Sequence, residues 1–151
     1  MAARVAADYV AHDADPGRMR DLPARAARAG VQVRLTDAPD RLAPFALVLC
    51  DAPCSGSGAW RRSPEAKWRT DAATLARLTA TQDLVLDRAA PLVAPGGVLA
   101  YATCSLLESE NDARIGAFLA RSAGWRCIHR QGFTPLDGGD GFFVAHLTRD
   151  V

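Results

Sequence analysis

The hydrophobic and polar positions of the chain form two patterns, short apolar runs and longer amphipathic stretches. The short runs are rich in Val, Leu, Ala and aromatic residues, and most end in acids, cysteines or turn-forming residues, as strands do. We predict six strands, at residues 8–13, 31–37, 45–53, 97–105, 125–131 and 141–149. The run at 45–53 is apolar almost throughout, which predicts a strand covered on both faces.

An amphipathic stretch at residues 16–30 predicts the first helix. Pro16 suits the first helical position, and Gly30 suits the position just after the helix ends. Pro23 falls inside the same stretch, where a proline removes a backbone hydrogen bond and crowds the preceding turn. We therefore expect the helix to be weakened or kinked at Pro23.

Two further helices are predicted within residues 70–97, with Thr70 or Asp71 as the N-cap, and within residues 107–124. The resulting order of elements is mostly an alternation of strands and helices, which predicts an α/β fold with a mostly parallel sheet and helices on both faces. The last two strands are joined by the turn-rich "LDGGDG" without a helix, which predicts an antiparallel edge hairpin.

Composition narrows the class of protein. The chain has 151 residues, of which 49% are hydrophobic, and a net charge of +1. This length predicts a single domain over residues 1–151, and the near-neutral charge requires no nucleic-acid partner by itself. We see no apolar run long enough for a membrane span and no signal peptide. The four cysteines fit no disulfide framework, so we expect free thiols and a cytoplasmic protein.

The strand ends carry the candidate chemistry. Ligands of such sheets bind beyond the carboxyl ends of the strands. Those ends read Asp13, Asp37, Asp51 to Cys54 and Thr103-Cys104-Ser105. Cys54 and Cys104 each lie just past an apolar run, where a thiol can be accessible and its pKa can be tuned.

The other two cysteines, Cys50 and Cys127, lie inside apolar runs and are expected to be core residues. The acids have two interpretations. Asp13 and Asp37 can be turn or cap residues. Alternatively, Asp13 can bind ribose hydroxyls and Asp37 an exocyclic amino group, which would indicate a nucleoside-containing cofactor.

Two motifs, "DAPCSGSGAWRRSPEAKW" and "YATCSLLESEN", resemble signatures of the Sun-type RNA cytosine-5 methyltransferases. The late "GDGFFVAHL" resembles the closing hairpin of that family, and "VAHDADPGRMRDLPARAARAG" resembles its second-strand region. The resemblance extends from about Val10 to near the end of the chain, in the family's order. It implies a Rossmann-like methyltransferase fold, S-adenosylmethionine as methyl donor and a cytosine in RNA as acceptor.

The resemblance also implies roles for individual residues. Cys104 corresponds to the nucleophile that adds to C6 of the base, and Cys54 to the cysteine that assists product release. Asp51 corresponds to the residue that hydrogen-bonds the cytosine near N3 and its amino group. Asp13, Asp37 and Asp51 are the predicted cofactor-binding residues. No metal is expected.

The RNA would be rRNA or tRNA, with the target cytosine single-stranded or flipped. Arg61, Arg62 and Lys67 follow the first motif and are candidate phosphate contacts, although a solvated arginine face is nearly as good an interpretation. Trp60 and Trp68 could stack on bases, but we expect them to pack. The acid-proline motif also resembles the "DPPY" type of amino methyltransferases. Those enzymes need no cysteine nucleophile, so "ATCS" argues against that alternative.

The family's first strand and glycine-rich cofactor loop are not apparent before Asp13. The chain therefore looks like the carboxyl-terminal part of a catalytic domain. The place of the first strand could be an open gap, could be closed by pairing of "YVAHD" with "FALVLC", or could be partly filled by "ARVAADYV". Two functions stay open, a truncated RNA methyltransferase and a catalytically silent remnant that binds RNA or a partner subunit.

Overall fold

The computed structural model of the protein describes residues 5–150. These residues divide into two compact units, which lie within residues 1–43 and 44–151. Each unit contains strands and helices in the predicted order, so the α/β class is confirmed. The alternative that "ARVAADYV" fills the place of the first strand falls partly on residues 3–4, which lie outside the described residues. No helix within residues 5–150 has the length and hydropathy that a membrane crossing requires.

The first unit is built on two short parallel strands, β1 (Tyr9–Ala11) and β2 (Val33–Leu35), which pair directly. A 3-10 turn at Pro16–Met19 and helix α1 (Leu22–Arg28) connect them. Residues 16–30 therefore do not form one helix kinked at Pro23, because the helical stretch is interrupted before α1 begins. Pro23 lies in the first turn of α1, where its missing N–H costs nothing.

The end of α1 follows the prediction for Gly30. Gly30 has φ +67°, a left-handed conformation that favours glycine. Its amide donates to the carbonyl of Ala27, and the amide of Val31 donates to the carbonyl of Ala26. This is the Schellman arrangement, which satisfies carbonyls that the helix would otherwise leave unpaired.

The second unit contains a four-stranded sheet in the order β3-β4-β6-β5. Its strands are β3 (Phe45–Asp51), β4 (Val93–Thr103), β5 (Trp125–Phe133) and β6 (Phe142–Arg149). β3 and β4 are parallel, whereas β6 pairs antiparallel with both β4 and β5. The C-terminal antiparallel hairpin is thus confirmed, with β5 at the edge.

Three helices belong to the second unit. They are α2 (Pro64–Arg69), α3 (Ala72–Ala89) and α4 (Asp112–Arg121). The side chain of Asp71 accepts from the amide of Thr74 and caps α3, as one of the two predicted caps. The short α2 was not predicted.

The core of this unit lies between the sheet and helices α3 and α4. Its fully buried large side chains include Leu86, Leu99, Tyr101, Ile115 and Phe118. Phe118 of α4 meets Trp125 of β5 edge to face, with the ring centroids 5.6 Å apart. Cys50 is buried in this core, as expected, and Cys127 is partly buried against it.

The expectation that β3 is covered on both faces is wrong. Leu47 and Leu49 are 41% and 56% exposed, while Cys50 is buried. Within residues 5–150, β3 pairs with β4 along one side only. The pairing of "YVAHD" with "FALVLC", one of the three alternatives for the missing first strand, is not formed among the described residues, where β1 pairs with β2 and β3 pairs with β4. The open gap and the partial filling by "ARVAADYV" stay predictions.

Candidate active site

The two cysteine motifs meet because β3 and β4 are parallel neighbours. Asp51, the last residue of β3, is in register with Ala102 of β4. The amide of Ala52 adds one more ladder hydrogen bond, to the carbonyl of Ala102 at 2.9 Å. Both strands end at this edge of the sheet. Cys54 lies two residues after Ala52, and Cys104 lies two residues after Ala102. The structure thus brings the ends of β3 and β4 together.

The two thiols lie side by side at this edge. The Sγ atoms of Cys54 and Cys104 are 3.3 Å apart, within hydrogen-bond distance for sulfur, and both side chains are half-buried. Burial is the main cause that raises the pKa of Cys54 to about 12. The hydrogen bond from the Gly56 backbone lowers this pKa in part, and the hydrogen bond with Cys104 raises it further. Cys54 is consequently a thiol near neutral pH and can donate to the Cys104 sulfur.

Asp51 and Pro53 precede Cys54 in the turn that follows β3. The side chain of Asp51 is exposed at the end of β3, so its carboxylate is open to a ligand. The carbonyl of Pro53 accepts a hydrogen bond of 2.9 Å from Nε2 of Gln82, a fully buried residue of α3. This contact fixes the turn that presents Asp51 and Cys54.

The "SGSG" segment after Cys54 is held against the Cys104 loop. The amide of Gly58 donates to the carbonyl of Cys104, and the carbonyl of Gly58 accepts from the amide of Gly141, both at 3.0 Å. A Cβ on Gly58 would lie 2.0 Å from the carbonyl oxygen of Gly141, so only glycine allows this close approach. The segment is therefore a fixed part of the site.

A buried carboxylate, Glu110, joins the two cysteine loops, and sequence analysis gave it no role. Its side chain accepts from the amide of Ser55 at 2.8 Å and from the hydroxyl of Ser105 at 2.5 Å. The residue is inaccessible to solvent. The only signal in the sequence is its place in the quoted motif "YATCSLLESEN".

The two acids of the first unit follow β1 and β2, whose carboxyl ends lie at the same edge of that parallel pair. Asp13 is half-buried, and its Oδ1 accepts from the amide of Asp15 at 2.8 Å, which is the turn-forming role considered for it. Asp15 in turn caps the following 3-10 turn. Asp37 is exposed. Their cofactor-binding role stays a prediction.

The basic residues after the first motif differ in their availability. Arg62 forms a two-pronged ion pair with Asp140, and Arg61 lies 3.9 Å from the same carboxylate. Lys67 is exposed and lies over the ring of Trp68, 5.7 Å from its centroid. The expectation that Trp68 packs is wrong, because its side chain is 84% exposed and no residue of α2 is buried. Trp60 is half-buried.

Comparison with known proteins identifies the family and the fold of the chain. The family model described as "16S rRNA methyltransferase RsmB/F" matches residues 2–148. "Ribosomal RNA small subunit methyltransferase B" of Xylella fastidiosa, strain Temecula1, is 38% identical over 92% of this chain and 37% of its own length. The protein of the same name from Erwinia tasmaniensis is 43% identical over 70% of this chain and 26% of its own length. The chain thus spans about a quarter to two fifths of these relatives.

Solved structures show the same fold. The crystal structure of PH0851 superposes with a TM-score of 0.87 and 29% identity, covering 94% of this chain and 37% of that one. A methyltransferase homologue from Pyrococcus horikoshii, with a TM-score of 0.79 over 95% of this chain and 53% of its own, has the same fold at 23% identity. The fold is therefore the α/β fold of the methyltransferases. From its family match over residues 2–148, this chain belongs to the RsmB/F family of 16S rRNA methyltransferases.

Proposed function

We propose that this chain forms part of the catalytic domain of an S-adenosylmethionine-dependent RNA cytosine-C5 methyltransferase. The observation that supports this most is the contact of 3.3 Å between the sulfurs of Cys54 and Cys104 at the edge where β3 and β4 end. Methylation at C5 needs one thiol that bonds to the base and a second group that helps to break that bond. Residues 1–151 would form one partial domain of a cytoplasmic enzyme.

Cys104 is the proposed nucleophile. Its thiolate forms a bond to C6 of the cytosine, and the electron pair of the C5=C6 bond moves to C5. S-adenosylmethionine, when bound, supplies a methyl group on a sulfonium centre that the electron-rich C5 can take. C5 then loses its proton to a base, and the bond between the Cys104 sulfur and C6 breaks.

Cys54 and Asp51 support this chemistry in different ways. The protonated Cys54 donates toward the Cys104 sulfur, which stabilises that sulfur as it leaves C6. The exposed carboxylate of Asp51 is placed to hydrogen-bond the amino group and N3 edge of the cytosine. Charge that develops on the ring during the attack is stabilised by that contact.

The cofactor would be held through carboxylates. Asp13, Asp37 and Asp51 all follow the carboxyl ends of parallel strands, where such ligands bind. Carboxylate oxygens suit ribose hydroxyls and amino groups, and Asp37 and Asp51 are exposed. Each of these carboxylates by itself can accept from a hydroxyl or amino group of S-adenosylmethionine. Within the first unit, the turn that Asp13 supports engages one of its carboxylate oxygens and leaves the second for a ribose hydroxyl.

The proposed substrate is ribosomal RNA, since the curated relatives are named as methyltransferases of the small-subunit rRNA. The target cytosine would be single-stranded or flipped, because only an unstacked base exposes C6 to a thiol. Arg61, Arg62 and Lys67 are the proposed phosphate contacts, and all three are exposed, as is Trp68 next to Lys67. The names of these relatives do not favour the alternative, a silent remnant that only binds RNA or a partner subunit.

Trapping with 5-fluorocytosine RNA tests the proposal. The fluorine cannot leave C5 as a proton does, so the adduct between Cys104 and the methylated base should persist in a denaturing gel. A small-subunit rRNA fragment, S-adenosylmethionine and the chain should give the adduct, Cys104→Ala should give none, and Cys54→Ala should accumulate adduct on ordinary RNA. Cys127→Ser is the matched control and should behave as the wild type. Adduct formation by Cys104→Ala, or none by the wild-type chain, would refute the assignment.

A further inference from the structure

Glu110 is a carboxylate with no exposure to solvent, and the proposed reaction does not use it directly. Burying a charged group is costly unless hydrogen bonds replace its hydration. Four donors point at this side chain. Oε1 accepts from the amide of Ser55 at 2.8 Å and from Nε2 of Gln82 at 3.1 Å, and Oε2 accepts from the hydroxyls of Ser55 at 2.6 Å and Ser105 at 2.5 Å. This number matches the acceptor capacity of an ionised carboxylate.

The donors come from both cysteine loops. Ser55 immediately follows Cys54, and Ser105 immediately follows Cys104. Each thiol is thus one residue away from a serine that binds the same carboxylate. Gln82 closes the arrangement, since its Nε2 also donates to the carbonyl of Pro53, one residue before Cys54.

The hydrogen bonds determine which serine hydroxyl in this network donates and which accepts. The hydroxyl of Ser57 accepts from the amide of Leu106 at 2.8 Å, and the hydroxyl of Ser105 accepts from the amide of Leu107 at 3.0 Å. Because Ser105 gives its hydrogen to Glu110, the 2.9 Å contact between the two hydroxyls requires Ser57 to donate to Ser105. The carboxylate is therefore the final acceptor of a relay that runs through both loops.

The backbone around Glu110 is fixed as well. The phenol of Tyr101, whose pKa burial raises, donates to the carbonyl of Glu110 at 2.7 Å. The neighbouring Asn111 accepts from the hydroxyl of Thr103 at 2.6 Å and donates to the carbonyl of Ser105 at 2.9 Å. Tyr101 and Thr103 belong to β4, so the sheet itself anchors the carboxylate.

We propose that Glu110 is a positioning residue that sets the distance between the sulfurs of Cys54 and Cys104 by clamping Ser55 and Ser105 to one carboxylate. This inference rests on the proposed function in treating the two thiols as the reacting pair. Glu110 touches neither the base nor the cofactor in this assignment and acts through the two serines. Removing its charge should therefore separate the thiols without changing the chemistry of either one.

The rate of disulfide formation between the two thiols measures their separation without RNA or cofactor. Diamide, a two-electron oxidant of thiols, would be added to the chain in a Cys127→Ser background, and the bond between Cys54 and Cys104 quantified by peptide mass mapping. Glu110→Gln keeps the shape of the side chain but places an amide donor against two hydroxyls that now donate. Because displacement of about 1 Å costs up to ~100-fold in intramolecular reactions, we expect oxidation to slow by about tenfold or more.

Glu108→Gln is the matched control. It makes the same change of charge two residues away, on an exposed side chain, and should oxidise at the wild-type rate. Circular dichroism would verify that each variant is folded. Should Glu110→Gln fail to fold, Ser55→Ala removes a single hydroxyl contact with Glu110 and replaces it in the test.

A folded Glu110→Gln, or Ser55→Ala in its place, that oxidises as fast as the wild type would overturn the proposal. Slowing together with an unchanged Glu108→Gln supports it. The result is independent of the trapping experiment, because thiol oxidation occurs whether or not the chain methylates RNA. If the chain forms no RNA adduct but Glu110→Gln slows oxidation, the positioning role stands and the proposed activity does not.

Discussion

The sulfur of Cys54 lies 3.3 Å from the sulfur of Cys104, although the two residues are fifty positions apart in the chain. The parallel pairing of β3 with β4 produces this contact, because both strands end at the same edge. The two thiols are not equivalent. Burial, and next to it the neighbouring thiol, hold the pKa of Cys54 at about 12, so this residue stays protonated where an ordinary cysteine begins to ionise.

This raised pKa predicts slow alkylation of Cys54. A thiolate is the reactive form, and a pKa of about 12 instead of 9 lowers its fraction near pH 8 by roughly a thousandfold. The rate at Cys54 should therefore stay low through pH 9 and increase only as the pH approaches 12. Iodoacetamide labelling followed by peptide mass spectrometry measures the rate at each pH. Labelling of Cys54 at the rate of an ordinary free cysteine would contradict the assignment of Cys54 as the protonated partner.

Gly58→Ala should destabilise the chain by about 1–3 kcal/mol, as overpacked sites do. The new methyl group would lie 2.0 Å from the carbonyl oxygen of Gly141, so the backbone must move apart. The matched control is Gly139→Ala, where an added Cβ meets nothing within 4 Å. Urea denaturation compares the two free energies of unfolding. Equal stability of both variants would show that the contact between Gly58 and Gly141 is looser than described.

The order of elements could be predicted from the sequence because hydrophobic periodicity and end signals agreed. Asp71 caps α3, Gly30 ends the first helix and the last two strands form an antiparallel pair, all as expected. The exposure of Leu47 and Leu49 could not be predicted, since an apolar run specifies a strand but not whether both of its faces and edges are covered. That depends on neighbouring strands, which the run itself does not contain.

The site was predictable to the same extent. Two cysteines at the ends of apolar runs indicated where the chemistry lies, because parallel strands bring their ends together. Glu110 was missed because "LESEN" has the composition of an exposed first helical turn, with acids that would face solvent. Its burial depends on donors that are distant in the chain, such as Ser55, fifty-five residues earlier, and Gln82, twenty-eight residues earlier. Such long-range pairing leaves no local pattern in a single sequence.

Leu86→Ala should lower the free energy of unfolding by about 2–5 kcal/mol, because it leaves a cavity in a core where Leu86 is fully buried. Leu84→Ala, two residues earlier on the same helix, should change it by less than about 0.5 kcal/mol, since Leu84 is 55% exposed. Guanidinium denaturation followed by circular dichroism measures both. A large loss for Leu84→Ala would mean that the exposed side of α3 is covered in solution.

Trp68→Ala should weaken RNA binding while leaving stability unchanged. The indole is 84% exposed and carries Lys67 above its ring, so removing it uncovers no core and creates no cavity. A base that stacks on an exposed aromatic ring contributes about 1–3 kcal/mol, which predicts a dissociation constant at least about fivefold higher. Leu136→Ala is the matched control, because Leu136 is likewise an apolar side chain that is almost fully exposed, at 97%. Fluorescence anisotropy with a single-stranded small-subunit rRNA fragment measures both variants.

Lys67→Gln should instead reduce the slope of log affinity against log salt by about one, because it removes a phosphate contact and not a stacking platform. If Trp68→Ala and Leu136→Ala bind equally well, the exposed indole is no part of the RNA-binding surface, and the basic residues of this segment would have to act without it.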